Sequence, residues 1–145
     1  MRNGLIGFTL GAALLGSACT PGETGGMSAQ DTCGQMLSGD PEIEADLAEF
    51  DATVDDYCAC FATTLESQTE EDRDAIMKVV STIAELRTER NIGLEAAAEL
   101  LEEVAEGRNT NESIDISGSA FETAGRFVDG IRNDLRDNDG QCPAS

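Results

Sequence analysis

The fold is decided by residues 53–65, which read Thr53-Val54-Asp55-Asp56-Tyr57-Cys58-Ala59-Cys60-Phe61-Ala62-Thr63-Thr64-Leu65. Apolar side chains recur here at helical spacing, and Thr53 with Asp56 three residues later is typical of a helix start. Cys58 belongs to the apolar stripe of this helix, whereas Cys60 lies about 200° around the helix axis from it. The two sulfurs must therefore find partners on different sides, so this helix is predicted to receive two disulfides.

The same helical spacing continues on both sides of this stretch, and strict alternation of apolar and polar residues is almost absent. The chain is therefore predicted to be all-α. In the connection 107–118, Ile114 and Ile116 are the apolar residues expected to reach the core. Start and stop signals predict further helices from Asp40-Pro41, from Thr69 to Asn91 and Gly93, from Leu94 to Gly107, and from a capping box of Ser119 and Glu122. We expect a small four- to five-helix bundle stapled by two disulfides.

The first 18 residues have the pattern of a secretory signal peptide, with Arg2, an apolar run over residues 5–15 and then small residues. The run is too short for a membrane-spanning helix, which needs about 20 apolar residues. Leu15-Gly16-Ser17-Ala18 followed by Cys19 resembles the lipobox of bacterial lipoproteins. This resemblance implies cleavage before Cys19 and attachment of diacylglycerol to its sulfur, with palmitate among the acyl chains. Gly16-Ser17-Ala18 also fits ordinary cleavage, so plain secretion is the alternative.

The lipobox resemblance also implies a location and a domain organisation. Thr20 follows the cysteine where the inner-membrane retention signal has Asp, so the implied destination is the outer membrane, facing the periplasm. Residues 19–32 are predicted to be a lipidated flexible tether, because residues 20–32 have almost nothing to bury and would reach roughly 20 Å as a random coil. Residues 33–145 are predicted to form one acidic helical domain.

The chain has five cysteines, an odd number for an exported protein. If Cys19 carries lipid, an even set of four remains for disulfides in an oxidising compartment. A bond between Cys58 and Cys60 would close a strained ring, so Cys33 is expected to take one of these two and Cys142 the other. Which of the two takes which partner stays open.

The charge of the chain is strongly negative. All 29 acidic residues lie after residue 18, and 8 of the 9 basic residues do. Such a surface repels phosphate, which argues against nucleic acid and anionic lipid surfaces as partners. The surface could attract a basic protein or cations, or it could serve only to keep the protein soluble.

The composition disfavours most catalytic chemistry. There is no histidine, which removes the commonest general base and the commonest transition-metal ligand. Cys58 and Cys60 could exchange disulfides as a closely spaced pair, but no thioredoxin-like pattern surrounds them. Asp137-Asn138-Asp139-Gly140 suggests a calcium loop, yet the chain ends before a complete loop could form, which leaves at most low-affinity binding of divalent cations.

We therefore interpret the chain as a lipid-anchored periplasmic binding or adaptor lipoprotein, or a structural lipoprotein of the envelope. The expected partners are the membrane, through the lipid on Cys19, and a basic or helical protein of the envelope. No catalytic residue, cofactor or resident metal is predicted. The alternatives are thiol–disulfide exchange by Cys58 and Cys60, and low-affinity binding of divalent cations.

Overall fold

Six α-helices account for most of the protein in a computed structural model, which describes residues 27–110 and 113–143. The described residues contain no β-strand, so the predicted all-α class is confirmed. Cys19 and the signal segment lie outside the described residues. The helices are α1 (Ala29–Leu37), α2 (Pro41–Ala48), α3 (Val54–Glu66), α4 (Glu70–Arg90), α5 (Leu94–Ala105) and α6 (Gly118–Asp137).

The first helix was not predicted. Ser28 caps α1 by accepting a hydrogen bond from the Asp31 backbone N–H, and residues 29–32, assigned to the tether from the sequence, form the first turn of the helix. Its buried face is small, because only Met36 and Leu37 are large apolar residues. A stripe this short gives almost no periodic signal. With this additional helix, residues 27–110 and 113–143 contain six helices, where four or five were predicted.

The core is arranged around α4, the longest helix, which contacts α1, α5 and α6. α3 packs against α1 and α6, and the rings of Phe61 and Phe127 meet edge to face with centroids 5.2 Å apart. Ile116 is buried and Ile114 packs against the core, as predicted for the connection before α6. None of the described helices combines the length and the apolarity that crossing a membrane requires.

Most predicted helix starts are correct. Asp40, Thr53 and Thr69 are the caps of α2, α3 and α4, and Thr53 forms the full capping box with Asp56. The start of α6 was predicted wrongly. Ser117, not Ser119, is the cap: its side chain accepts from the Ala120 backbone N–H, and Ser119 lies inside the helix. Both serines have the right chemistry, and only the extended backbone at Ser117 distinguishes them.

Candidate functional site

The four cysteines of the described residues form two disulfides. Cys33 of α1 is bonded to Cys58, with their Cα atoms 5.5 Å apart, and Cys60 is bonded to Cys142, with their Cα atoms 5.3 Å apart. One of the two pairings left open by the sequence is thereby selected. Cys33, Cys58 and Cys60 are buried, whereas Cys142 is exposed. α3 is tied to α1 through one disulfide and to the segment after α6 through the other.

The segment after α6 passes closely over the connection between α2 and α3. Gly140 has φ +77°, and a Cβ built there would lie 2.7 Å from the carbonyl oxygen of Phe50. Both the backbone angle and the contact therefore require glycine. The Gly140 N–H donates to the Leu135 carbonyl at 2.7 Å, so residues 137–140 form the exit turn of α6. Within residues 27–110 and 113–143, no group of three or more carboxylates or thiols is arranged to hold a metal ion.

A buried polar cluster, which the sequence did not indicate, joins four helices around Asp40. One oxygen of Asp40, Oδ1, accepts from the backbone N–H groups of Glu42 and Ile43 at the start of α2. The other, Oδ2, accepts from the Leu94 N–H at 3.0 Å and therefore caps α5, which has no capping side chain of its own. These N–H groups, with that of Leu94 contributing most, and the nearby Arg87 lower the pKa of Asp40.

Arg87 of α4 completes this cluster. Its Nη2 lies 3.7 Å from Oδ2 of Asp40, both side chains are about nine-tenths buried, and its Nη1 donates to the Met36 carbonyl at the end of α1. Its Nε has no hydrogen-bond partner within the described residues. The cluster is therefore structural: it holds the ends of α1, α2 and α5 against α4.

Tyr57 provides a spectroscopic test of the contact between α3 and α6. Its buried hydroxyl donates to the Val128 carbonyl at 2.9 Å. Burial, with a further contribution from the negative charge of Asp129, raises the pKa of Tyr57 above its ordinary value of 10.0. Because the folded state keeps the neutral phenol, stability is lost as the pH rises through the ordinary value, where the unfolded chain ionises.

Tyr57 is the only tyrosine, and the chain has no tryptophan, so phenolate absorbance reports on this residue alone. In an alkaline titration we expect phenolate absorbance to rise together with the loss of helical circular dichroism. A phenolate signal near pH 10, with the helical signal intact, would contradict the buried hydrogen bond.

The exposed side of α5 is rich in glutamate. Glu95, Glu99, Glu102 and Glu106 are all exposed, and they follow one another at intervals of three or four residues, which places them on one side of the helix. We call these four residues the acidic face of α5. Arg108, just beyond the helix, lies 3.6 Å from Glu103 and is hydrogen-bonded to Glu106. The face therefore presents several carboxylates of the same sign to solvent.

Helix stability does not explain this acidic face. Carboxylates in the first turns of α3 and α4 are favourable, because the N-terminus of a helix carries partial positive charge. On α5 only Glu95 lies in the first turn, whereas Glu102 lies in the C-terminal half, Glu106 is the C-cap, and the last turn contains no basic residue. Like charges at this spacing destabilise a helix by about 0.2–0.5 kcal/mol per pair. The repulsion along this face and the position of Glu102 are thus not explained by helix stability.

Searches of protein-family models, of curated proteins and of solved structures find nothing that matches this chain. The chemistry of the chain's own residues is therefore the basis for any function.

Proposed function

We propose that the protein is a lipoprotein of the outer membrane, facing the periplasm, whose helical domain binds a basic protein partner through the acidic face of α5. The acidic face is the observation that carries this proposal. Four exposed carboxylates that repel one another on one side of a helix, with Glu102 and Glu106 toward its C-terminus, fit a surface for recognition. A partner with clustered Lys and Arg relieves this repulsion on binding, and the field steers its approach.

The anchor is the second part of the proposal. In this arrangement acyl chains on Cys19 hold the protein at the membrane, and residues 20–28 connect that cysteine to α1. Several acyl chains bind a membrane far more firmly than one does. The four other cysteines are consumed in the two disulfides, so lipid on Cys19 leaves no free thiol in the mature chain.

Mass spectrometry of the protein purified from its native membrane tests the anchor. We expect the N-terminal peptide to begin at Cys19 and to carry a diacylglycerol group, with residues 1–18 absent. A Cys19→Ala variant should show no incorporation of labelled palmitate. An unmodified Cys19 at the amino terminus of the native protein would contradict the anchor without bearing on the acidic face.

Charge neutralisation tests the partner surface. We expect the variant Glu95→Gln/Glu99→Gln/Glu102→Gln to lose about tenfold or more of its cross-linking to partners in intact envelopes. Its helix should stay about as stable, since Gln and Glu have similar helix propensities and the lost repulsion offsets the lost first-turn charge of Glu95. Cross-linking of the unmodified protein should also decrease as salt rises toward 0.15 M, where charges more than about 8 Å apart are screened.

The matched control is Glu66→Gln/Glu85→Gln/Glu89→Gln, which removes the same charge from exposed positions on α3 and α4. It should leave cross-linking nearly unchanged. Equal losses in the two triple variants would show that net charge alone matters and would contradict a defined surface on α5. Thiol–disulfide exchange by Cys58 and Cys60 has less support, because each of these sulfurs is bonded to a different cysteine.

A further inference from the structure

An apolar cavity of about 160 Å³ lies between α4, α5 and α6. The buried residues Val79, Val80 and Ile83 of α4 form its floor, and Ala98 of α5 and Gly125 of α6 lie on its sides. Every residue that lines it is apolar or glycine. Its lining therefore offers almost no polar partner to a water molecule, which needs two or more to be held in place.

The small residues at the sides of the cavity keep it open. Gly125 lies in the interior of a 20-residue helix, where alanine is more favourable than glycine. A Cβ at this position would meet no atom within 4 Å, so packing does not require glycine either. Ala98 likewise leaves space that a larger apolar side chain could fill. A larger residue at Gly125 would improve helix propensity, and a larger residue at Ala98 would improve core packing. The chain has a small residue at both positions.

The cavity opens between α5 and α6. Gly125 is exposed, and Ala98 and Phe121 are only half-buried, whereas the residues of the floor on α4 are buried. Residues one helical turn away from the opening are acidic and exposed: Glu95 and Glu102 on either side of Ala98, and Glu122 and Asp129 on either side of Gly125. Arg126, next to Gly125 in the chain, is a cation near this rim, and it lies 4.0 Å from Glu122. A ligand therefore meets a negative rim and an apolar interior.

From this arrangement we propose that the cavity binds an uncharged hydrocarbon group of about the size of benzene, and that it disfavours molecules with an anionic head. An engineered apolar cavity of about 150 Å³ binds benzene and xenon, which sets the scale. The group can be a small free molecule or the end of a longer chain, since both present the same surface to the cavity. The negative rim repels a carboxylate at the mouth and accepts a neutral or cationic head.

The first test measures the binding of xenon and benzene to the chain from Thr20 to Ser145. This chain contains the whole described core and both disulfides. Dissolved xenon is expected to shift the methyl resonances of Val79, Val80 and Ile83, and benzene is expected to raise the melting temperature. Ala98→Leu should abolish both effects by filling the cavity. The matched control, Ala96→Leu, places the same side chain on the exposed side of α5 and should leave both effects intact.

Amphiphiles below their micelle concentration test the rim and the source of the group. If the ends of longer chains enter the cavity, decyltrimethylammonium is expected to bind at least tenfold more tightly than decanoate. If benzene binds but neither amphiphile does, small free molecules are the ligand. Decanoate binding as tightly as its cationic counterpart would overturn the role assigned to the rim. Unshifted methyl resonances in the unmodified protein, or benzene binding that persists in Ala98→Leu, would overturn the cavity as a binding site.

Discussion

Replacing Cys60 and Cys142 by alanine is expected to lower the free energy of unfolding by about 4.5 kcal/mol. This disulfide joins residues 82 positions apart, and in the chain-entropy model a loop of this length removes much of the freedom of the unfolded chain. The loss is comparable to the whole net stability of a marginal domain, which is about 5–15 kcal/mol. Urea unfolding followed by circular dichroism measures it, with the midpoint moving to lower urea concentration.

The variant lacking the Cys33–Cys58 disulfide is the internal comparison. Its loop spans 25 positions, for which the same model gives about 3.5 kcal/mol. The two disulfides should also be reduced at different rates by a mild reductant. The Cys60–Cys142 bond is expected to be reduced first, because Cys142 is exposed whereas Cys33 and Cys58 are both buried. If the shorter loop proves to contribute more, local packing around α1 rather than chain entropy sets the stability of the bundle.

The sequence predicted that α3 carries two disulfides, because this prediction depends only on the local geometry of one helix. Helical geometry alone places Cys58 and Cys60 on different sides of one helix, and the structure bonds them to different partners. The pairing itself depends on α1, which brings Cys33 to the side of α3 that carries Cys58. Since α1 has too few apolar residues to be predicted, the sequence could not choose between the two pairings.

Among the helix caps, too, the local contacts could be predicted from the sequence and the long-range contact could not. Thr53, Thr69 and Asp40 were predictable because each satisfies backbone groups two or three residues away. The second role of Asp40 was not predictable, because its bond to Leu94 crosses 54 positions of sequence. The cavity is also a property of tertiary structure, because it lies between helices that are far apart in sequence. The four glutamates of α5, by contrast, share one side of the helix predicted from Leu94 to Gly107, and only their exposure is established by the structure.

Replacing Asp40 by alanine is expected to lower the free energy of unfolding by about 3–5 kcal/mol, the cost of breaking a buried ion pair by removing one partner. The change removes the cap of α2 and the cap of α5 together, and it leaves the charge of Arg87 buried without its carboxylate. Thr69→Ala is the matched control, since Thr69 caps α4 alone from an exposed position and its loss should cost only about 1 kcal/mol. Equal losses in the two variants, measured by urea unfolding, would show that Asp40 acts as an ordinary cap.

The pH dependence of stability distinguishes the charge of Asp40 from its shape. Because the Leu94 N–H above all, then those of Ile43 and Glu42, and Arg87 lower its pKa in the folded state, the stabilisation is complete above the ordinary value of 3.8 and is lost as the pH falls through the lowered value. Asp46, whose pKa Arg132 lowers, also contributes to the loss of stability at low pH, so the effect of Asp40 has to be measured by comparing variants.

The variant Asp40→Asn keeps an oxygen that can cap the start of α2 but has no charge to lose. We therefore expect Asp40→Asn to be less stable than the unmodified protein at neutral pH and to lose less stability on acidification, with the two unfolding curves converging at low pH. If both proteins lose stability equally on acidification, Asp40 contributes through shape and hydrogen bonding alone. Arg87 is then held in place by the Met36 carbonyl rather than by the carboxylate of Asp40.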